Sequence, residues 1–415
     1  ALTITGNAVL GNASDTLDNI TGLQALTVTG DTLINTGVIT TRGGQTYTGN
    51  ATLGNATALS TTDNGTVLFS GTVNGTKNLT ISTGSGNVTL TGAVGGTARL
   101  AALTLVSTGA TTFGSSVKAA SLSASNSGTV FVGDNIDTTG AQGYNGSLVL
   151  NADATLIGTN ISFGQKIDSD AASTKRTLTV TGSGATTFAG AVGGTTALAS
   201  LTVDGGGTAL LNGGAVTTSG AQSYADVVTV GASTTLTGTD ISFGQTIDGG
   251  VTAGALRVTG SGATTFTGAI GSTKALASLT VDGGGTALFN GGAVTTTGAQ
   301  TYAGAVTLGA NTTLVTTNSN VGFTSTSTLN SSEALATAGT PTPATLSITA
   351  GSGDVTFGGI VGGAAYTATN GALGAVTLVS AKDVGINAAF KAASLTQQAG
   401  TGTTTVGGAT TLTGV

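Results

Sequence analysis

The fourteen residues ALASLTVDGGGTAL stand at Ala197–Leu210 and again, unchanged, at Ala275–Leu288. The copy extends on both sides. Leu178–Gln222 and Leu256–Gln300 are windows of 45 residues that differ at seven positions. The differences sort by chemistry. Val192 becomes Ile270 and Leu211 becomes Phe289, the apolar exchanges expected of side chains that point into a core. Thr196 becomes Lys274 and Thr179 becomes Arg257, a trade tolerated only where nothing packs against the side chain.

Looser copies run through the rest of the chain. ISFGQ is found at Ile161–Gln165 and Ile241–Gln245. A GAQ-x-Y or GGQ-x-Y element ends at Tyr47, Tyr144, Tyr224 and Tyr302. LTISTGSGNVTLTGAVGG (Leu79–Gly96) parallels LSITAGSGDVTFGGIVGG (Leu346–Gly363), and KAASL occurs at Lys118–Leu122 and Lys391–Leu395. Recurrence of this kind marks a solenoid, a propeller or an array.

Within each copy the period is two. LTVTG, ATTFAG and TALLNG alternate apolar residues with Thr and then stop at Gly or Asn. Thr and Val favour strands, and Gly with Asn or Asp supplies the turns between them. Starts of the LTV type at Leu178, Leu201, Val228 and Leu256 are 23, 27 and 28 residues apart. This predicts an all-β fold, a parallel β-helix of about 23–28 residues per coil, with coils stacked at the ~4.8 Å strand spacing. Equivalent side chains would then lie over one another, and DGGGT (Asp204–Thr208, Asp282–Thr286) and NGGAV (Asn212–Val216, Asn290–Val294) would be corners. The competing reading is a string of immunoglobulin-like sandwiches. The near-equal short steps and the density of Gly favour the helix.

Residues 1–415 read as one continuous fragment of a larger exported protein, since the chain opens ALTITGNAVLGN and closes TTVGGATTLTGV, both inside the pattern. Two places break it. Residues 318–346 hold both prolines and Glu333, the only glutamate, and read as an inserted loop or excursion, with Ser331–Gly339 as a short helix candidate. Residues 169–176 (SDAASTKR) read as an exposed corner loop.

Composition excludes several classes. Gly is 71 of 415 residues, about 17 % against a usual ~7 %, and charged residues are 7 % against a usual ~25 %. With 39 % hydrophobic residues and only 2 prolines, the chain does not have the make-up of a disordered one. A net charge of −6 without a basic patch argues against a nucleic-acid partner. No apolar run approaches the ~18–20 residues of a membrane-spanning helix.

The chain has no His, Cys, Met or Trp. Thiolate metal sites and disulfides are therefore excluded. Clustered carboxylates remain a possible route to polysaccharide cleavage. However, Asp168 matches Asp248 and Asp204 matches Asp282 across the repeats, and a repeated Asp beside Gly reads as a corner residue. DGGG is like part of a calcium β-roll, but the tandem nonapeptide is missing. The four tyrosines form a sugar-stacking ladder if exposed and a set of packing residues if buried; packing is expected. Asn-x-Ser/Thr sequons at Asn12, Asn19, Asn50, Asn55, Asn64, Asn74 and Asn78 are frequent, as chance supplies in so Thr-rich a chain. We expect no catalytic, cofactor-binding or metal-binding residues and no cofactor.

GAQTYAGAVTLGANTTLVTT (Gly298–Thr317), SGATTFTGAIGSTKALASLTVDGGGTALFNGGAVTTTGAQ (Ser261–Gln300) and ISFGQTIDG (Ile241–Gly249) resemble the repeat regions of filamentous-haemagglutinin-like exoproteins. The resemblance covers the whole chain and is one of repeat style. It implies a right-handed parallel β-helix, export by two-partner secretion through an outer-membrane partner, and a place at the bacterial cell surface or outside it. The function it implies is a non-catalytic rod, the shaft of an adhesin or secreted fibre, with a host-surface or glycan receptor as partner. The alternatives are a self-assembling S-layer, sheath or biofilm-matrix filament that associates end to end or laterally, and a polysaccharide-binding or cleaving β-helix.

Overall fold

The computed structural model describes residues 1–12, 18–125, 128–332, 343–363 and 371–414. Among them there is no helix, and neighbouring strands pair in parallel. The fold is a β-solenoid of about 18 turns. The chain, expected as one stack over 1–415, divides into two compact units, Ala1–Thr208 and Ala209–Val415.

In the first unit a ladder of nine strands begins Leu2–Ile4, Leu26–Val28, Gln45–Tyr47, Val67–Phe69 and ends Leu148–Leu150, Ile167–Ser169. Most of its strands are three residues long, with the first and third side chains buried and the second facing outward. Its inner column reads Ile4, Val28, Tyr47, Phe69, Leu90, Phe113, Val132, Leu150. Three residues suffice because each short strand gains ladder bonds from the turn below and the turn above, and two buried side chains extend two columns.

In the second unit a matching ladder starts at Ala215–Thr217 and Thr234–Gly238 and runs through Leu256–Gly260, Leu279–Asp282, Gln300–Tyr302 and Val321–Phe323 to Thr404–Val406. A second ladder holds Gln222–Tyr224, Ile241–Phe243, Ala263–Phe266, Thr286–Phe289 and Ala305–Leu308. Like often lies over like, as in Leu256 on Leu279, Val258 on Val281 and Phe266 on Phe289.

The exchanges between copies fall as their chemistry requires. Val192, Ile270, Leu211 and Phe289 are buried, whereas Lys274 and Arg257 are exposed. The expected corners are corners. Gly205, Gly206, Gly214, Gly283, Gly284 and Gly292 all have positive φ. At another corner glycine sits on glycine: a Cβ on Gly30 would lie 2.4 Å from Gly6, one on Gly49 2.4 Å from Gly30, and one on Gly71 2.4 Å from Gly49. Backbones that close leave no room for any side chain.

Three expectations change. Turn length varies more than 23–28 residues. Leu256 does not sit over Val228 but over Thr234, and Val228 lies under Ile247, 19 residues on. Residues 318–346 are less of an excursion than expected, because Val321–Phe323 and Thr328–Ser331 pair with turns on both sides. The rest of that interval, 333–342, and with it most of the helix candidate Ser331–Gly339, lies outside the described residues. Ser169 is buried at the end of its strand, so the exposed part of 169–176 is Asp170 and Ala172–Lys175, tied back by Arg176 Nε donating to Asp170 Oδ1 at 2.8 Å.

Candidate functional site

The polar motif that recurs most faithfully is buried. Tyr47, Tyr144, Tyr224 and Tyr302 are each 0–1 % exposed, as are Gln45, Gln142, Gln222 and Gln300. Each tyrosine hydroxyl donates to the glutamine Oε1 two residues earlier, at 3.0, 2.8, 3.0 and 2.9 Å. Each glutamine Nε2 then donates to two carbonyls. For Gln300 these are Val294 O at 3.1 Å and Val315 O at 2.9 Å. For Gln222 they are Val216 O at 3.2 Å and Thr237 O at 2.9 Å. One carbonyl belongs to the strand just before the corner and the other to the turn above, so the amide clasps two turns together. A threonine four residues before the glutamine closes the same corner. Thr41, Thr138, Thr218 and Thr296 donate to the carbonyls of Gly43, Gly140, Gly220 and Gly298 at 2.6–2.8 Å.

The motif is therefore T-x-G-x-Q-x-Y. The tyrosine spacing is plain in the sequence, and the threonine recurs four residues before each Gln, but only the winding of the chain shows that it closes the corner. Burial pushes all four phenols well above the ordinary tyrosine range. The expected packing role holds, and none of the four can stack on a sugar from outside.

The repeated aspartates cap corners, but of the next turn rather than their own. Asp168 Oδ1 accepts from Thr195 N at 2.9 Å and Thr196 N at 3.0 Å. Asp248 does the same for Thr273 and Lys274, and Asn74 for Thr97 and Ala98. Asp282 instead pairs with Arg257 at 2.7 Å and accepts from Thr259 Oγ1. Partial burial works to raise the Asp168 pKa, but the Thr196 and Thr195 N–H groups and the Lys166 ammonium outweigh it and hold the carboxyl below its usual range.

A folded-state pKa below the unfolded value of about 3.9 contributes stability above that value and loses it as pH falls through the folded one. Asp168→Asn keeps the Oδ1 acceptor, as Asn74 does in its own turn, and deletes the charge. The variant is expected to match the natural chain to within about 1 kcal/mol at neutral pH. It should also lose less stability between about pH 5 and about pH 2. Urea midpoints across that range check this; parallel curves would show that Asp168 titrates alike folded and unfolded.

Outside, the side chains are mostly Thr, Ser, Asn and Ala. Apolar side chains interrupt this surface at Val9, Val106, Ile157 and Val251, and Phe131 is a half-buried, outward-facing ring between Thr112 and Val149 in its ladder. Two open troughs follow corner columns. One is lined by Asn7, Asp31 and Asn50, the other by Asp354, Asp383 and Thr403. Their acceptors are already engaged. Asn7, Asp31 and Asn50 cap the N–H groups of Asp31, Asn50 and Thr72, and Asp354 and Asp383 cap those of Asp383 and Thr403. Among the described residues no three His, Cys, Asp or Glu side chains converge to hold a metal ion. Compared with known proteins, the chain matches no family model, no curated protein and no solved structure.

Proposed function

We propose that this solenoid is a non-catalytic structural shaft, part of an adhesin or fibre carried at a bacterial cell surface. The observation that carries the reading is where the repeated chemistry goes. The Gln–Tyr pairs and the aromatic rings are satisfied within and between successive turns, Asp168 and Asp248 cap backbone N–H groups of the next turn, and what faces water is a low-charge surface made mostly of small side chains. A sequence can be copied almost verbatim when each turn meets the same neighbours above and below, whereas a catalytic site needs a unique position. The repeat style supports an outer-membrane secretion partner and a host-surface or glycan receptor contacted elsewhere in the parent protein.

Electron microscopy of the purified chain tests the shaft. Isolated thin rods of even width are expected. Round particles with no elongated form would overturn the proposal, and a continuous lattice would replace it with a layer subunit. A reducing-sugar assay on a panel of polysaccharides should release no new ends; release would make the protein an enzyme.

A further inference from the structure

Each clasp tyrosine is the lowest ring of an aromatic stack. In the first unit Tyr47 follows Val28 in its column and carries Phe69, with ring centroids 4.5 Å apart. Tyr144 follows Ala124 and carries Phe163 at 5.5 Å and then Phe188 at 5.2 Å. In the second unit Tyr224 carries Phe243, Phe266 and Phe289 at 5.3, 5.3 and 4.7 Å. Tyr302 follows Val281 and carries Phe323 and Phe357 at 5.0 and 5.6 Å. Rings within a stack lie within 19° of parallel.

Between stacks the geometry changes. Phe289 and Tyr302 meet at 86°, because Phe289 belongs to the ladder that continues into Ala305–Leu308 and Tyr302 to the ladder that continues into Val321–Phe323. The aromatic column thus stops on one face and restarts on another, and it restarts on a clasp. Only the bottom ring is a phenol. It needs a polar partner and finds the Gln, which in turn holds carbonyls of two turns. The phenylalanines above need none and add their stacking energy only if the ring below is in place.

We propose that the T-x-G-x-Q-x-Y clasp is a block boundary that divides the second unit into cooperative blocks that open one at a time. One block is built on Tyr224 and the next on Tyr302. A repeat array couples only nearest neighbours. Where the rings meet edge-on, stacking no longer couples the turns, and the ladder bonds and the Gln300 amide alone join one block to the next. For a shaft under load, extension then proceeds by whole blocks rather than turn by turn.

Hydrogen exchange on the full chain, read by mass spectrometry, tests this. Gln300→Leu leaves the Val294 and Val315 carbonyls and the Tyr302 hydroxyl without their partner. Exchange is expected to rise about tenfold or more in Gln300–Tyr302, Val321–Phe323 and Val355–Phe357, with Ile241–Phe243 and Ala263–Phe266 unchanged. A rise spread evenly over both sets overturns the proposal, and so does one confined to Gln300–Tyr302. If the variant does not fold, the natural chain in mild denaturant gives the same answer. Two separate opening free energies for the two sets support the boundary, and a single shared one removes it.

Discussion

Replacing Phe243 with alanine is expected to lower the unfolding free energy of the second unit by about 3–5 kcal/mol. Phe243 is 1 % exposed and lies between Tyr224 and Phe266, 5.3 Å from each, with interplanar angles of 10° and 4°. The substitution removes a large buried side chain and both stacking contacts, the latter worth about 0.5–1.5 kcal/mol each beyond the buried area. The site collapses poorly, because ladder bonds on both sides hold the strand spacing. Phe131→Ala provides the contrast within the same protein. That ring faces outward, is only half-buried and carries no stack, so its loss should cost about 1 kcal/mol. Urea unfolding followed by circular dichroism compares the two. Equal costs would mean that the inner aromatic column contributes no more than a surface ring.

Gly271→Ala is the second large effect. Gly271 has φ +69°, and a Cβ there would lie 2.1 Å from the carbonyl oxygen of Thr295 in the turn above. The left-handed backbone alone costs an L-residue about 1–2 kcal/mol. The clash adds overpacking of about 1–3 kcal/mol, because the obstructing atom is backbone and its strand, Ala293–Thr295, is tied into a ladder. We expect a total of about 2–5 kcal/mol from these two terms. Gly206 separates them. Its φ is +82°, yet nothing lies within 4 Å of the added Cβ, so Gly206→Ala should show only the backbone cost. If thermal melts give the same loss for both, the approach of the turn above is not what demands glycine at Gly271. Gly95 and Gly362 repeat the arrangement, 2.0 and 2.1 Å from the carbonyls of Lys118 and Lys391, and should behave like Gly271.

The stacking of turns was legible because alternation and repetition are local properties of the chain. LTVTG alternates, NGGAV turns, and a near-verbatim copy requires near-identical neighbours. The inward direction of Val192 and Ile270 and the outward direction of Thr179 and Arg257 followed from the substitutions alone. The register was not legible. Every face uses the same apolar–Thr alternation, so the sequence does not say whether an LTV strand lies beneath another LTV or beneath a Q-x-Y. The Leu279 strand does both, resting on Leu256 and supporting Gln300.

The candidate site divides the same way. The recurrence of Gln and Tyr was plain, but that both are buried, and that the glutamine holds carbonyls six residues back and 15 residues ahead, depends on which turns meet at the corner. Asp168 was recognised as a corner residue, but the corner it caps is 27 residues away. By itself the sequence determined that the chain is built of short strands and glycine corners repeated around an apolar interior, since period-two patterning and backbone freedom act within a few residues. Tertiary structure alone decided which strand lies on which, where each aromatic stack begins, and which amide closes which turn, since those bonds join residues that only the winding of the chain brings together.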